Sequence, residues 1–262
     1  MTPPDMPPAA PRAFVVDQLA VRVCPDLPAL AQEAADCAQA TLVEAIAARG
    51  AAAAILATGN SQIAFLEVLG ARAGIDWSRV TLFHMDEYLG LPSDHPASFR
   101  RYMQERVERR VRPRCFHYLA GDADLPIAEC RRYEAALRAQ TIDLCCLGIG
   151  ENGHLAFNDP PVARFDDVDW VKIVKLDEAC RLQQVGEGHF PALAAAPGYA
   201  LTLTIPALCA ARRMLAIVPE RRKAAAVRAA LRGAIATSSP ASFLRRQAQC
   251  TLFLDEASAS AL

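Results

Sequence analysis

The chain has 262 residues, 53% of them hydrophobic and 22% charged, which supplies a sizeable core and excludes wholesale disorder. Lys and Arg number 28 against 29 Asp and Glu, so the net charge of −1 gives no global field to hold a nucleic acid or an anionic membrane. The longest apolar runs, such as 51–57, fall far short of the ~20 residues that span a bilayer.

Residues 1–13 are predicted to form a flexible tail. Five of the 18 prolines lie in Met1–Arg12, and no basic patch followed by an apolar stretch marks a secretory signal. From there the pattern alternates between two periods. Residues 19–23 read as a strand and 27–49 as a helix, with Asp26 as N-cap and Gly50 as stop. Strands follow at 51–56 and 80–84, with a helix at 63–74 between them. A basic amphipathic helix is predicted over 97–111, a short strand at 115–119, a helix at 127–139 and a buried strand at 142–147. Later strands fall at 171–174, 200–205, 214–218 and 251–254, with helices at 220–232 and around Phe243. Near-continuous apolar strands joined through helices imply one doubly wound α/β domain over 14–262, with a mostly parallel sheet and helices on both faces. The nine cysteines are scattered, with no C-x-x-C pair, so neither a disulfide framework nor a zinc knuckle is expected, and a reducing cytoplasm is the natural compartment.

Ligands of such sheets bind beyond the carboxyl ends of the strands, so chemistry is sought in the loops that follow them. Thr58, Gly59, Asn60 and Ser61 come directly after one buried strand and before a helix, and their amides and hydroxyls outline an anion cradle. That loop is neither a Walker loop nor G-x-G-x-x-G. An ordinary turn capped by Ser61 is the alternative. The next strand ends at Asp86 and Glu87. A carboxylate half-desolvated there is a usable base for a carbon-bound proton, whereas in isolation the pair also fits solvated turn residues or helix caps. The stretch 148–160 brings three glycines in six residues, then His154 with Asn152, Asn158 and Asp159 around it. That set can orient an imidazole for proton transfer. Lys223, after the strand at 214–218, can close an anion site opposite Ser61. The arginines at 100, 101, 106, 109 and 110 read as a solvated helix face or a subunit contact.

Two long segments, "FHMDEYLGLPSDHPASFRRYM" at 83–103 and "GIGENGHLAFNDP" at 148–160, with "ATGNSQ" and "PERRKAAAV", resemble the glucosamine-6-phosphate deaminase/isomerase family, which shares its fold with 6-phosphogluconolactonases. The resemblance runs from about residue 19 to 255. It implies conversion of D-glucosamine 6-phosphate and water to D-fructose 6-phosphate and ammonia, with no metal or organic cofactor. By it, His154, helped by Asn152 and Asp159, opens the sugar ring, and Asp86 moves a proton from C2 to C1. Thr58, Gly59, Asn60, Ser61 and Lys223 hold the 6-phosphate. The family often has Asp where Asn152 stands and usually Glu where Asp159 stands. Its phosphate-binding arginine has Arg181 as the candidate here. The implied partner is a small sugar phosphate, with no nucleic acid and no membrane. A homo-oligomer is allowed, because members differ in assembly and no heptad or long apolar face selects one. The alternatives are a 6-phosphogluconolactone hydrolase, a galactosamine-6-phosphate deaminase and a non-catalytic sugar-phosphate sensor.

Overall fold

The computed structural model describes residues 12–262. The helical and strand elements run β1 (Arg12–Val16), β2 (Leu19–Cys24), α1 (Leu27–Arg49), β3 (Ala52–Leu56), α2 (Ile63–Ala71), β4 (Val80–His84), β5 (Asp86–Tyr88), α3 (Phe99–Met103), α4 (Arg109–Val111), β6 (Cys115–His117), α5 (Pro126–Arg138), β7 (Leu144–Leu147), β8 (Val171–Lys175), α6 (Glu178–Gly186), β9 (Tyr199–Leu203), α7 (Ile205–Cys209), β10 (Arg213–Val218), α8 (Ala224–Arg232) and β11 (Cys250–Asp255). A π-turn over Gln104–Glu108 joins α3 to α4.

The main sheet has eight strands in the order β1-β2-β11-β10-β7-β3-β4-β6. Every neighbouring pair is parallel except β1 with β2. Alternation along the strands feeds two layers of core. Ala53 and Ile55 of β3 face a cluster that includes Tyr133, Leu137, Leu208, Val227 and Leu231. Ala52, Ala54 and Leu56 face the opposite cluster with Ala34, Ala38, Leu42, Leu66 and Leu69. Both faces of the sheet are therefore covered, which explains why its strands carry so few polar residues. Local signals place α1 as expected: the Asp26 carboxylate accepts from the Ala29 amide at 2.8 Å, and Gly50, at φ +78°, ends the helix.

Several elements depart from the sequence expectations. A second, three-stranded antiparallel sheet, β5-β9-β8, lies beside the main one and packs Tyr88, Phe99, Phe157 and Phe190 into its own aromatic cluster. The strand β1 takes in Arg12 and Ala13, so the expected tail is shorter by those residues, and the rest of it lies outside the described residues. The helix expected at 63–74 stops at Ala71. Ile205 belongs to α7, because the Thr204 side chain caps that helix and ends the strand before it. The helix expected at 220–232 opens as a 3-10 turn over Arg221–Lys223.

Candidate active site

Chain order turns back on itself at β3. Strands β3, β4 and β6 run outward one way, and the chain then returns to lay β7 on the other side of β3. That reversal leaves a crevice above the carboxyl ends of β3 and β7. An open cleft occupies it. The loops after β3, β4, β7 and β10 line it through Thr58, Gly59, Asn60, Ser61, Asp86, Gly148, Gly150, His154 and Lys223.

The loop after β3 makes the turn through Gly59, whose φ of +99° is closed to most other residues. Its ends are fixed from below. Gln62, fully buried, donates to the Ile217 carbonyl on β10 and to Ser61 Oγ, both at 3.1 Å, while the Tyr102 hydroxyl holds the Gly59 carbonyl at 3.0 Å. Because Ser61 Oγ accepts from Gln62, its own proton is free to donate into the cleft. Across it stands Lys223, buried and with no carboxylate within ion-pair distance among the described residues. Burial, and then the neighbouring Arg222 charge, pull the Lys223 ammonium below its ordinary value. Arg222 itself is fully engaged by Glu220 and Glu187 at 2.6 Å and by Glu151 at 3.0 Å. The turn that sets Lys223 in place is strained at Glu220, a non-glycine residue at φ +81°. Asp255 at the end of β11 holds it: both carboxylate oxygens accept the Glu220 amide, at 3.1 and 3.2 Å, and one of them also takes the Ser258 amide at 2.7 Å.

The two acids after β4 have opposite fates. Asp86 lines the cleft, is 6% exposed, and its Oδ1 has no hydrogen-bond partner. Burial first, and the Glu87 charge second, push its carboxyl well above the usual aspartate range. Glu87 points the other way and caps α3 from a distance. It accepts from the Ser98 hydroxyl at 2.7 Å and from the amides of Tyr88, Phe99 and Arg100 at 2.9, 3.2 and 2.9 Å. Arg100 packs beside it and bonds to Asp122 and the Leu91 carbonyl. It is therefore buried, in contrast to the solvated face expected of that helix. His84, at the end of β4, is a structural imidazole. Its Nε2 accepts the Leu119 amide at 2.9 Å, and burial, with the Arg100 charge, lowers its pKa to about 3.

His154 follows a turn in which its ring lies flat on Gly150, where an added Cβ would come within 2.2 to 2.4 Å of three ring atoms. Its Nδ1 is 3.0 Å from Asp159 Oδ1, an ion-pair distance at which the N–H direction falls short of a full hydrogen bond. Asn152 completes the group: its Nδ2 donates to the same Asp159 oxygen at 3.0 Å and its Oδ1 accepts the His154 amide at 3.1 Å. Asp159 is fully buried. That alone would raise its pKa, but His154, Asn152 and the Asp177 amide together hold it below the ordinary value. His154 thus reaches the cleft while Asn152 and Asp159 stand behind it.

A further wall was not read from the sequence. It comes from α6 and the residues after it, through Gln183, Gln184 and Glu187. Asp177 caps α6 by accepting the Cys180 amide at 2.8 Å, a local signal that marks the helix but not which residues reach the cleft. Glu187 is ionised well into acid: burial opposes it, but His189, Arg222 and Gln183 draw its pKa down to about 2. The Tyr88 hydroxyl donates to Gln184 Oε1 at 2.6 Å and fixes that amide. Arg181 is not brought to the cleft. Its guanidinium is spent on the carbonyls of Leu193 and Ala196, at 2.6 and 2.9 Å, and so braces the segment after α6. Close behind His154, the ligand-type atoms of His154, Asp159 and Cys180 lie within 4.8 Å of one another.

Comparison with known proteins agrees with this architecture. A relative from Exiguobacterium sibiricum, named glucosamine-6-phosphate deaminase, is 37% identical over 207 residues, covering 79% of this chain and 80% of its own. A solved structure described as a monomeric glucosamine-6-phosphate deaminase superposes with a TM-score of 0.84 at 32% identity, over 92% of this chain and 99% of that one. A 6-phosphogluconolactonase from Shewanella baltica shares the fold, with a TM-score of 0.74 at 20% identity over 92% of this chain and all of that one. The family model described as glucosamine-6-phosphate isomerases/6-phosphogluconolactonase matches residues 25–253, and the chain belongs to that family.

Proposed function

We propose that this chain is a glucosamine-6-phosphate deaminase, converting D-glucosamine 6-phosphate and water to D-fructose 6-phosphate and ammonia. The observation that carries the reading is the meeting of Asp86 and His154 in one cleft that also holds the anion loop and Lys223. The phosphate fits the backbone amides and hydroxyls of 58–61, with Lys223 as its counter-charge, and this remote anchoring fixes where the sugar ring lies. With Nδ1 of His154 turned to Asp159, Nε2 is the ring nitrogen left for the sugar. It exchanges a proton with the ring oxygen and opens the pyranose. Asp86 then takes the C2 proton to give an enol-type amine and returns it at C1. Water adds to the resulting C2 imine and ammonia leaves. Its raised pKa makes Asp86 a stronger base for the C2 proton, and the acid it becomes is then the donor at C1.

Asn152 and Asp159 both bond to the His154 group, which supports a positioning role: they hold the imidazole rather than exchange protons with the sugar. No described helix is long and apolar enough to cross a membrane, and the nine free thiols support a reducing compartment such as the cytoplasm. The test is to incubate the purified protein with glucosamine 6-phosphate, galactosamine 6-phosphate and 6-phosphogluconolactone, and to follow ammonia, ketose phosphate and acid. Ammonia with fructose 6-phosphate from the gluco substrate is expected. Ammonia from the galacto epimer alone reassigns the substrate, and acid from the lactone alone moves the chain to the hydrolases of its family.

A further inference from the structure

We infer that His154, Asp159 and Cys180 form a binding site for a thiophilic divalent cation, zinc above all, directly behind the cleft. Three observations carry this. The ligand atoms of the three side chains already lie within 4.8 Å of one another, and His154 Nδ1 and Asp159 Oδ1 are only 3.0 Å apart. Zinc bonds of ~2.0–2.3 Å place tetrahedral ligand atoms about 3.3–3.7 Å apart, so metal entry opens the His154–Asp159 pair slightly and draws Cys180 inward by up to about 1 Å. Secondly, His154 is 9% exposed and its Nδ1, beside the Asp159 carboxylate, has no aligned hydrogen-bond partner, which leaves a buried nitrogen without a full bond. Thirdly, the charges close. The zinc ion, one carboxylate and one thiolate sum to zero, and no Lys or Arg among the described residues pairs with Asp159 to compete for it.

The three groups come from two elements held together by backbone. Asp159 lies in the loop after β7 and Cys180 in the first turn of α6, and the Asp177 amide that begins that turn is 3.5 Å from Asp159 Oδ2. Without metal the Cys180 side chain is a buried free thiol that carries its proton. Binding replaces that proton, which passes to solvent, and water fills the fourth coordination position. Coordination through Nδ1 fixes the imidazole proton on Nε2. A ring locked in that form can no longer accept a proton at the cleft, so the occupied site stops turnover. The coordination itself does not depend on the deaminase reading; only the inhibition does.

The experiment uses the full chain carrying Cys115→Ser, which removes the exposed thiol beside His117. Cobalt(II) is titrated and the thiolate-to-cobalt charge-transfer absorption recorded, and zinc inhibition of ammonia release is measured in parallel. The expected result is a charge-transfer band that is absent in Cys180→Ser and Cys180→Ala. Zinc inhibition should be weakened at least ~10-fold in both, the scale of losing a contact at a metal site, with activity in the absence of zinc retained. No band in the parent protein, or a band and an inhibition curve that both variants leave unchanged, overturns the site. A band without inhibition keeps the site and instead removes His154 from proton transfer.

Discussion

Replacing Asp86 by Asn separates catalysis from stability with opposite signs. The aspartate is a charge without a partner: 6% exposed, Oδ1 unpaired, and Glu87 adding repulsion from the next residue. Asparagine keeps the volume and removes the charge. Loss of the base costs about 10²- to 10⁴-fold in kcat, or ~2.7–5.4 kcal/mol of barrier. Asparagine keeps an unpaired oxygen, so what is relieved is the buried charge alone, and above the raised native pKa this returns about 1–3 kcal/mol of folding stability, which raises Tm by at least ~2 °C in a chain of this size. The pH dependence fixes the cause. A carboxyl whose pKa is raised on folding binds its proton more tightly in the native state, so the wild type loses stability as pH rises from the ordinary aspartate range through the raised native value. The gain from Asn is therefore full above that native value and vanishes below the unfolded one. Thermal unfolding by circular dichroism across the acid-to-neutral range, beside an ammonia-release assay, measures both. An Asn variant less stable than wild type at neutral pH, or a gain that does not shrink on acidification, refutes the reasoning.

Lys223→Met removes the counter-charge of the proposed phosphate and should raise KM about 10- to 100-fold, the worth of a charge-assisted hydrogen bond of ~1.5–3 kcal/mol; steady-state kinetics read it, and a change confined to kcat contradicts the assignment. Gly150→Ala drives a methyl group into the His154 ring, so kcat should fall at least ~10-fold while the far-ultraviolet circular dichroism stays native. Glu87→Gln puts an amide nitrogen where Oε2 now accepts from the Ser98 hydroxyl and the Arg100 amide. The hydroxyl can turn and accept instead, but the Arg100 amide cannot, so urea unfolding should show a loss of about 1–3 kcal/mol. The same variant removes a charge that raises Asp86, so the acid limb of kcat/KM should move to lower pH.

How much was legible in the sequence depended on how local the cause was. The span of α1 could be read because Asp26 and Gly50 act within a turn of the helix ends. The parallel order was implied by strands with few polar residues. By contrast β5 is three residues long and begins with two acids, and it is a strand only because β9 pairs with it from far along the chain. Glu87 showed its acidity in the sequence but not its use, since its donors at 98–100 reach it only through the fold. Arg181 has the right charge in the expected region. What the sequence could not show is that two carbonyls of the following segment would claim it, or that Gln183, Gln184 and Glu187 would face the cleft in its place.

The clasp between Asp255 and the strained Glu220 turn makes residues 255–258 custodians of a lysine three positions beyond that turn. Trimming the protein back to Asp255 would spare every residue that lines the cleft, yet it would free the Ser258 end of the clasp and let the turn relax away from its enforced shape. If Lys223 is the counter-charge of the proposed phosphate, affinity for that group is written partly into residues 255–258, and substitutions there become perturbations of binding at a distance.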